Sequence, residues 1–217
     1  MRVKKKVIEL SPNQLVERVR ALLEGEGQVQ PGQLLLAAVS GGPDSLCLLD
    51  ILSQLDYPLV VAHLDHQMRP ESSEEASSVA ARAASYGLAC CLGQVDVRAL
   101  ARKRSLSQEE AARQARYEFL FQQAQARHAG AVVTGHTADD QVETVLMHLL
   151  RGSGLDGLSG MAIRSLPNTW SAQIPLIRPM LSVWREEVLD YLEARRLQPF
   201  EDSTNQDKRF YRNRIRQ

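Results

Sequence analysis

AVSGGPDSLCLL, from Ala38 to Leu49, stands directly after the apolar run QLLLA and decides how the rest of the chain is read. Gln33 to Val39 is short and nearly continuously apolar, as expected of a strand buried on both faces of a parallel sheet. Asp44 to Gln54 reads as a helix. A glycine-rich turn between strand and helix gathers backbone amides and the positive end of a helix dipole around an anion. Gly41 and Gly42 permit close backbone approach, and the hydroxyls of Ser40 and Ser45 add donors. A multi-oxygen anion such as pyrophosphate suits that nest. The lysine of a Walker phosphate loop is missing, and Asp44 stands in the turn instead. An ordinary strand-to-helix turn is the plainer reading, but the complete string SGGPDS in this position outweighs it.

Outward from this turn, strands and helices alternate. Ser11-Pro12 opens a helix running to about Gly25, with serine as cap and proline in the first turn. LVVAHL (Leu59 to Leu64) is a second strand, and Ser72 or Ser73 caps a helix that stops at Gly87. LACCLG is a third strand, and Ser107 with Glu110 forms a capping box for a helix through about Arg127. AVVTG (Ala131 to Gly135) is the fourth strand, followed by a helix from Thr137 to Arg151. IPLIR and a helix from Val183 to Arg196 complete the series. This alternation predicts an α/β, doubly wound, Rossmann-like fold: a parallel five-stranded sheet with helices on both faces. Ligands in such sheets sit at the carboxyl ends of the strands where strand order reverses, so the turns after strands one and four are the places to search.

Composition excludes several classes. The 217 residues are 44% hydrophobic and 24% charged with zero formal net charge, as in ordinary globular domains. No stretch is long and apolar enough to span a membrane, and MRVKKKVIEL lacks the apolar core of a signal peptide, which predicts a cytoplasmic protein without a membrane partner. Three cysteines, two of them adjacent, provide neither a disulfide framework nor a CxxC metal or redox pair, and read as small buried side chains. Basic clusters occur in RALARKR (Arg98 to Arg104) and between Lys208 and Arg216, where they can meet phosphate or simply be solvated.

The second turn carries GHTADDQVET, Gly135 to Thr144. Helical spacing predicts that His136, Asp140, Glu143 and Thr144 share a side, with Asp139 beside them. Acids at a helix start suit a hard cation held together with phosphate oxygens, although acids there also merely offset the dipole. The spacing does not match an HExxH zinc site. Asp44 and Glu143 are the expected pair of Mg²⁺ ligands.

SGGPDS resembles the PP-loop of the N-type ATP pyrophosphatases, which cut ATP between the α and β phosphates. GHTADDQVET, with Arg151-Gly-Ser-Gly154 and Gly157-Leu-Ser-Gly160, resembles the tRNA(Ile)-lysidine synthetases within that superfamily. Further strings agree: Asp65-His66-x-x-Arg69, Glu110, Arg113, Arg116 and Tyr117 in EEAARQARYEFL, IRPML for the family's RPLL, and the EDSTNQDKRFYRNRIR ending. The resemblance runs from about Val39 to Arg216.

It implies a ligase that joins L-lysine to C2 of the wobble cytidine of tRNA(Ile) bearing a CAU anticodon, with ATP and Mg²⁺, releasing AMP and pyrophosphate. ATP binding then falls to Ser40, Gly41, Gly42, Pro43, Asp44, Ser45, His66 and Gly135. Asp44, Arg113, His136, Asp140 and Glu143 are the implied catalytic set, with His136 and Asp140 as alternatives for orienting or deprotonating the lysine amine. Arg69, Arg151, Arg212, Asn213, Arg214 and Arg216 are the implied tRNA contacts. Residues 1–217 are expected to form one catalytic domain, with a helix in 1–30 and a basic segment in 197–217. Family members usually continue after RNxIR into further helical domains, which are expected to be absent from residues 1–217, and a homodimer is left open. The rival readings are other PP-loop enzymes, such as a tRNA thiolase, or a non-catalytic ATP-binding module.

Overall fold

The computed structural model describes residues 11–68, 72–150, 152 and 159–200. Seven helices and six strands are found among them: α1 (Pro12–Glu24), β1 (Leu35–Ala38), α2 (Pro43–Gln54), β2 (Leu59–Asp65), α3 (Ser72–Ser85), β3 (Ala89–Gln94), α4 (Val97–Arg104), α5 (Gln108–Ala126), β4 (Ala131–Val133), α6 (Ala138–Leu150), β5 (Arg164–Ser165), β6 (Leu176–Ile177) and α7 (Arg185–Ala194). No described helix is long and apolar enough to cross a membrane.

The sheet has the order β3-β2-β1-β4-β6-β5. β1 lies at its centre, parallel to both β2 and β4, with Leu35 level with Leu59 on one side and Ala131 on the other. Leu35, Leu36 and Ala37 are wholly buried, because helices cover both faces. On one face α1, α2, α3 and α7 pack through Val19, Leu48, Leu52, Val79, Val188 and Leu192. On the other, α5 packs Tyr117, Leu120 and Ala124 on Leu36, Val60 and Val132.

Strand order reverses between β1 and β4, so the loops after these two strands open side by side. The doubly wound α/β architecture is as expected, and five of the strands are the expected parallel set. The sheet nevertheless has six strands rather than five. β5 adds an antiparallel edge against β6, with Arg164 level with Ile177. Two polar residues leave no period-2 apolar pattern in the sequence, and the strand exists because β6 offers it an edge.

α4 was likewise unannounced. Within the basic run it presents Val97 and Ala101 to Ala111 of α5, and Asp96 caps it by accepting from the Ala99 amide at 2.8 Å. Two buried positions in eight residues are too few to display a helical period. Ser11 and Gln14 form a reciprocal capping box on α1, and Ser107 caps α5 through the Glu110 amide at 3.1 Å. Cys47 and Cys91 are buried and Cys90 is half-buried.

Candidate active site

The loop after β1 is shaped by its own hydroxyls. Ser45 Oγ accepts from the Ser40 amide at 3.1 Å and donates to the Gly42 carbonyl at 3.0 Å, folding the loop over the start of α2. Gly41 has φ of 91°, a conformation that side chains disfavour. Gly42 stands at the N-cap of α2 without a side-chain cap, and Pro43 opens the helix. The first amides of α2 are therefore presented to the cleft rather than closed off by a side chain.

The loop after β4 lies against this one. A Cβ on Gly135 would stand 2.9 Å from the Asp44 carbonyl oxygen and 3.2 Å from its carbon. Gly135 is thus required by the close approach of the start of α2. His136 follows, its Nδ1 2.9 Å from Thr134 Oγ1.

The carboxylates of this region are distributed differently from the helical-wheel expectation. Asp44 lines the cleft and is gripped by Arg185, whose Nη1 donates to both carboxylate oxygens at 3.2 and 3.0 Å. The amide of Arg185, first residue of α7, donates to Asp139 at 2.8 Å. Asp140 turns back to its own helix start and accepts from the Thr137 amide at 3.0 Å. Glu143 is buried in α6, and like Asp140 it is not among the cleft-lining residues. Instead α6 contributes Thr144, Met147 and His148. Arg185 was missed by sequence reasoning, because its partner Asp44 is 141 residues away and neither position marks the other.

The opposite wall comes from β2 and α5. His63 is buried, and its Nδ1–H donates to the Val39 carbonyl at 2.8 Å. Burial lowers its pKa, against that hydrogen bond and Asp65. His66 is driven down to about 4, first by burial and then by the positive field of Arg116. Both imidazoles are therefore neutral at pH 7. From α5, the guanidinium of Arg113 lies 4.9 Å and that of Arg116 5.5 Å from the centre of the Tyr117 ring. Tyr117 stacks in turn on Trp170, with centroids 5.5 Å apart. Asn168 holds Trp170 there, its Oδ1 accepting from the Trp170 and Ser171 amides.

Together these walls enclose a cleft of about 870 Å³, lined by Ser40, Asp44, His66, Arg113, His136 and Arg185 among others. The structure thus brings the two predicted turns and the predicted arginine to one cavity. Its volume lies within the range of small-molecule and cofactor sites.

Over residues 12–217 the sequence matches the family described as "PP-loop domain". This chain is a PP-loop protein. It is 41% identical over 208 residues to the tRNA(Ile)-lysidine synthase of Dehalococcoides mccartyi, covering 93% of this chain and 44% of that one. With the enzyme of the same name from Geobacter sulfurreducens it shares 42% over 212 residues, 95% of this chain and 44% of the relative. The chain therefore spans less than half the length of these curated relatives. In architecture it is similar to the U34-tRNA thiolase of Methanococcus maripaludis, with a TM-score of 0.70 at 16% identity over 86% of this chain and 66% of that one. The NH3-dependent NAD synthetase of Campylobacter jejuni gives 0.58 at 15% identity, over 87% and 75% of the two chains. At such identities these two similarities speak of fold alone.

PP-loop membership implies use of ATP. Among the described residues no three histidine, cysteine or acidic side chains are gathered to hold a metal by themselves. A magnesium ion carried in on phosphate oxygens would need only one or two protein carboxylates, and Asp44 is the carboxylate that the Ser40–Ser45 loop places in the cleft lining. Arg69, Arg151, Arg212, Asn213, Arg214 and Arg216, with the RGSG, GLSG and RNxIR strings, lie wholly or partly outside the described residues.

Proposed function

We propose that this chain is the catalytic domain of a tRNA(Ile)-lysidine synthetase, acting in the cytoplasm on tRNA(Ile) with a CAU anticodon, L-lysine and ATP. The observation that carries the reading is identity of 41 to 42% to enzymes of that name over more than nine-tenths of the chain. The cleft geometry supports it.

In this reading the β and γ phosphates of ATP lie in the Ser40–Ser45 nest, against the amides at the start of α2. The C2 oxygen of the wobble cytidine attacks the α-phosphorus, and the bond to the bridging oxygen breaks to release pyrophosphate. The ε-amine of lysine then attacks C2 as a neutral nucleophile, its proton is taken up, and the C2–oxygen bond breaks to release AMP. Preorganised donors around the departing pyrophosphate supply the main stabilisation. Asp44 would hold Mg²⁺ through the carboxylate lone pairs that Arg185 does not engage. Glu143, which lies behind the cleft lining, would have to turn toward the ion to join it. The ion would neutralise charge on the leaving group. Arg113, stacked on Tyr117, faces the α-phosphate or the adenylate. His136 is the better placed group to receive the amine proton, since it lines the cleft while Asp140 caps α6.

The test supplies labelled lysine, ATP and an unmodified CAU-anticodon tRNA(Ile) transcript. ATP-dependent incorporation of lysine, with release of AMP and pyrophosphate, is the expected result. If neither this chain nor the corresponding full-length enzyme incorporates lysine, the reading fails.

A further inference from the structure

Arg185 belongs to none of the motifs that pointed to the cleft, yet it touches their central carboxylate. Its position is fixed twice over. The Arg185 amide is held by Asp139 of α6. Further along α7, Tyr191 and Arg195 bind Asp50 of α2, at 2.6 Å from the tyrosine hydroxyl and 3.0 Å from the arginine Nε. α2 and α7 are therefore joined at two levels, Asp44 with Arg185 and Asp50 with Tyr191 and Arg195. The backbone from which Arg185 springs is set relative to the loop.

The side chain has donors to spare. A guanidinium carries five N–H groups in a planar fork, and Arg185 engages Asp44 through Nη1 alone. Nε and Nη2 have no hydrogen-bond partner among the described residues, and the side chain is 36% exposed in the cleft wall. Asp44 poses a further electrostatic problem. It is the second residue of α2, beside the amides that would receive an oxyanion. A polyanion settling there meets a like charge unless a cation intervenes.

We infer that Arg185 is a pyrophosphate ligand of this cleft: it neutralises Asp44 and donates its remaining N–H groups to the phosphate oxygens held by the Ser40–Ser45 loop. The inference rests on the PP-loop reading of the cleft and extends it to a residue outside the motifs. A guanidinium suits the task better than an ammonium, because its fork can serve a carboxylate and a phosphate at once.

The decisive comparison uses variants that break the same ion pair from opposite ends. Inorganic pyrophosphate is titrated calorimetrically into the protein with EDTA present, so that no metal contributes. Arg185→Ala should bind it roughly ten-fold or more weakly than the parent protein, and Arg185→Lys should recover part of the loss. Asp44→Asn should bind it as well as the parent or more tightly, because a like charge has gone. AMP, which lacks the leaving group, should bind equally to all four proteins. If Arg185 merely braces the loop, Arg185→Ala and Asp44→Asn weaken pyrophosphate alike, and the proposal is overturned. Equal affinity in Arg185→Ala and the parent overturns it too. Should Arg185→Ala not fold, as shown by its circular dichroism melt, weaker binding by Asp44→Asn alone overturns it. The outcome is independent of the lysidine reading. A parent protein that binds pyrophosphate but incorporates no lysine sinks that reading and leaves this one standing, whereas no binding to the parent sinks the phosphate nest and this proposal together.

Discussion

The hydroxyl of Tyr191, on α7, donates to the carboxylate of Asp50, on α2, at 2.6 Å in the protein interior. Asp50 is 1% exposed and also accepts from Tyr86, Gln54 and Arg195. Burial alone would raise its pKa, but the hydrogen bonds from Arg195, Tyr191 and Tyr86 outweigh it and hold the carboxyl below its usual value. Asp50→Ala leaves these buried donors without an acceptor, and a loss of about 3–5 kcal/mol is expected in urea denaturation. The linkage has the carboxylate sign: the contribution is complete above the ordinary aspartate pKa and fades as pH falls below it toward the lower folded value. An Asp50→Ala protein as stable as the parent at pH 7 would show that the hub does not hold α2 to α7.

His66 likewise favours its deprotonated form, here the neutral one, and shows the same kind of dependence. Its pKa falls from 6.5 to about 4 in the folded chain, through burial first and then Arg116. Below pH 6.5 the unfolded chain binds a proton that the folded chain refuses. Stability is therefore complete above pH 6.5 and falls progressively as pH drops toward 4, by up to about 3 kcal/mol from this group. His66→Gln should flatten the decline in denaturation midpoint across that window. An NMR titration placing the His66 midpoint near 6.5 would contradict the burial argument.

Gly135 gives a steric prediction. Its added Cβ would meet the Asp44 carbonyl at 2.9 Å, a backbone contact that no side-chain rotation relieves. Gly135→Ala is expected to push the first turn of α2 away from β4, costing about 1–3 kcal/mol of stability. Because the moved turn is the phosphate nest, ATP affinity should fall more than stability does. Calorimetry beside thermal melts separates the two effects, and unchanged ATP affinity would mean that the contact does not set the loop.

What could be read from the sequence follows how local each cause is. β1 and the SGGPDS turn were legible because a fully buried strand is an apolar run and a nest is a string of glycines and hydroxyls. α4 and β5 were not, since each depends on a neighbour, α5 or β6, rather than on its own pattern. The face of α6 shows a subtler failure. His136 precedes the first helical residue, Ala138, so the 3.6-residue period does not extend to it. Asp140, on the first turn, is drawn back to the Thr137 amide, as third-position acids at helix starts often are. Helical spacing grouped both with Glu143 and Thr144; of the four, His136 and Thr144 line the cleft, joined by His148, whereas Asp140 and Glu143 do not. The Asp44–Arg185 pair was beyond reach for a third reason: only the docking of α7 on α2 brings its members together.

Glu143 remains the proposed second magnesium ligand, and it is 5% exposed. Glu143→Gln keeps the volume and an acceptor oxygen while removing the charge. ATP cleavage with tRNA and lysine present should be lost, with the circular dichroism melt close to that of the parent. Retained turnover would remove Glu143 from the proposed site.

Arg113 tests whether the Tyr117 platform serves ligand binding or only packing. Its guanidinium lies over the ring at 4.9 Å, and no described carboxylate bonds to it. Stacking of this kind at a partly exposed site contributes only about 0.5–1 kcal/mol, so Arg113→Ala should change stability little. A phosphate or adenylate contact, by contrast, is charge-assisted, and its loss should raise the KM for ATP or lower kcat by roughly ten-fold or more. Arg113→Lys keeps the charge without the planar stack and should fall between the two, because an ammonium cannot rest on the ring in the same plane. Trp170→Ala provides the control from behind the platform: it removes the ring against which Tyr117 stacks, and should shift the same kinetic constant by a smaller factor. If Arg113→Ala instead lowers the melting temperature markedly while ATP kinetics are preserved, the arginine is a packing residue and the phosphate assignment fails.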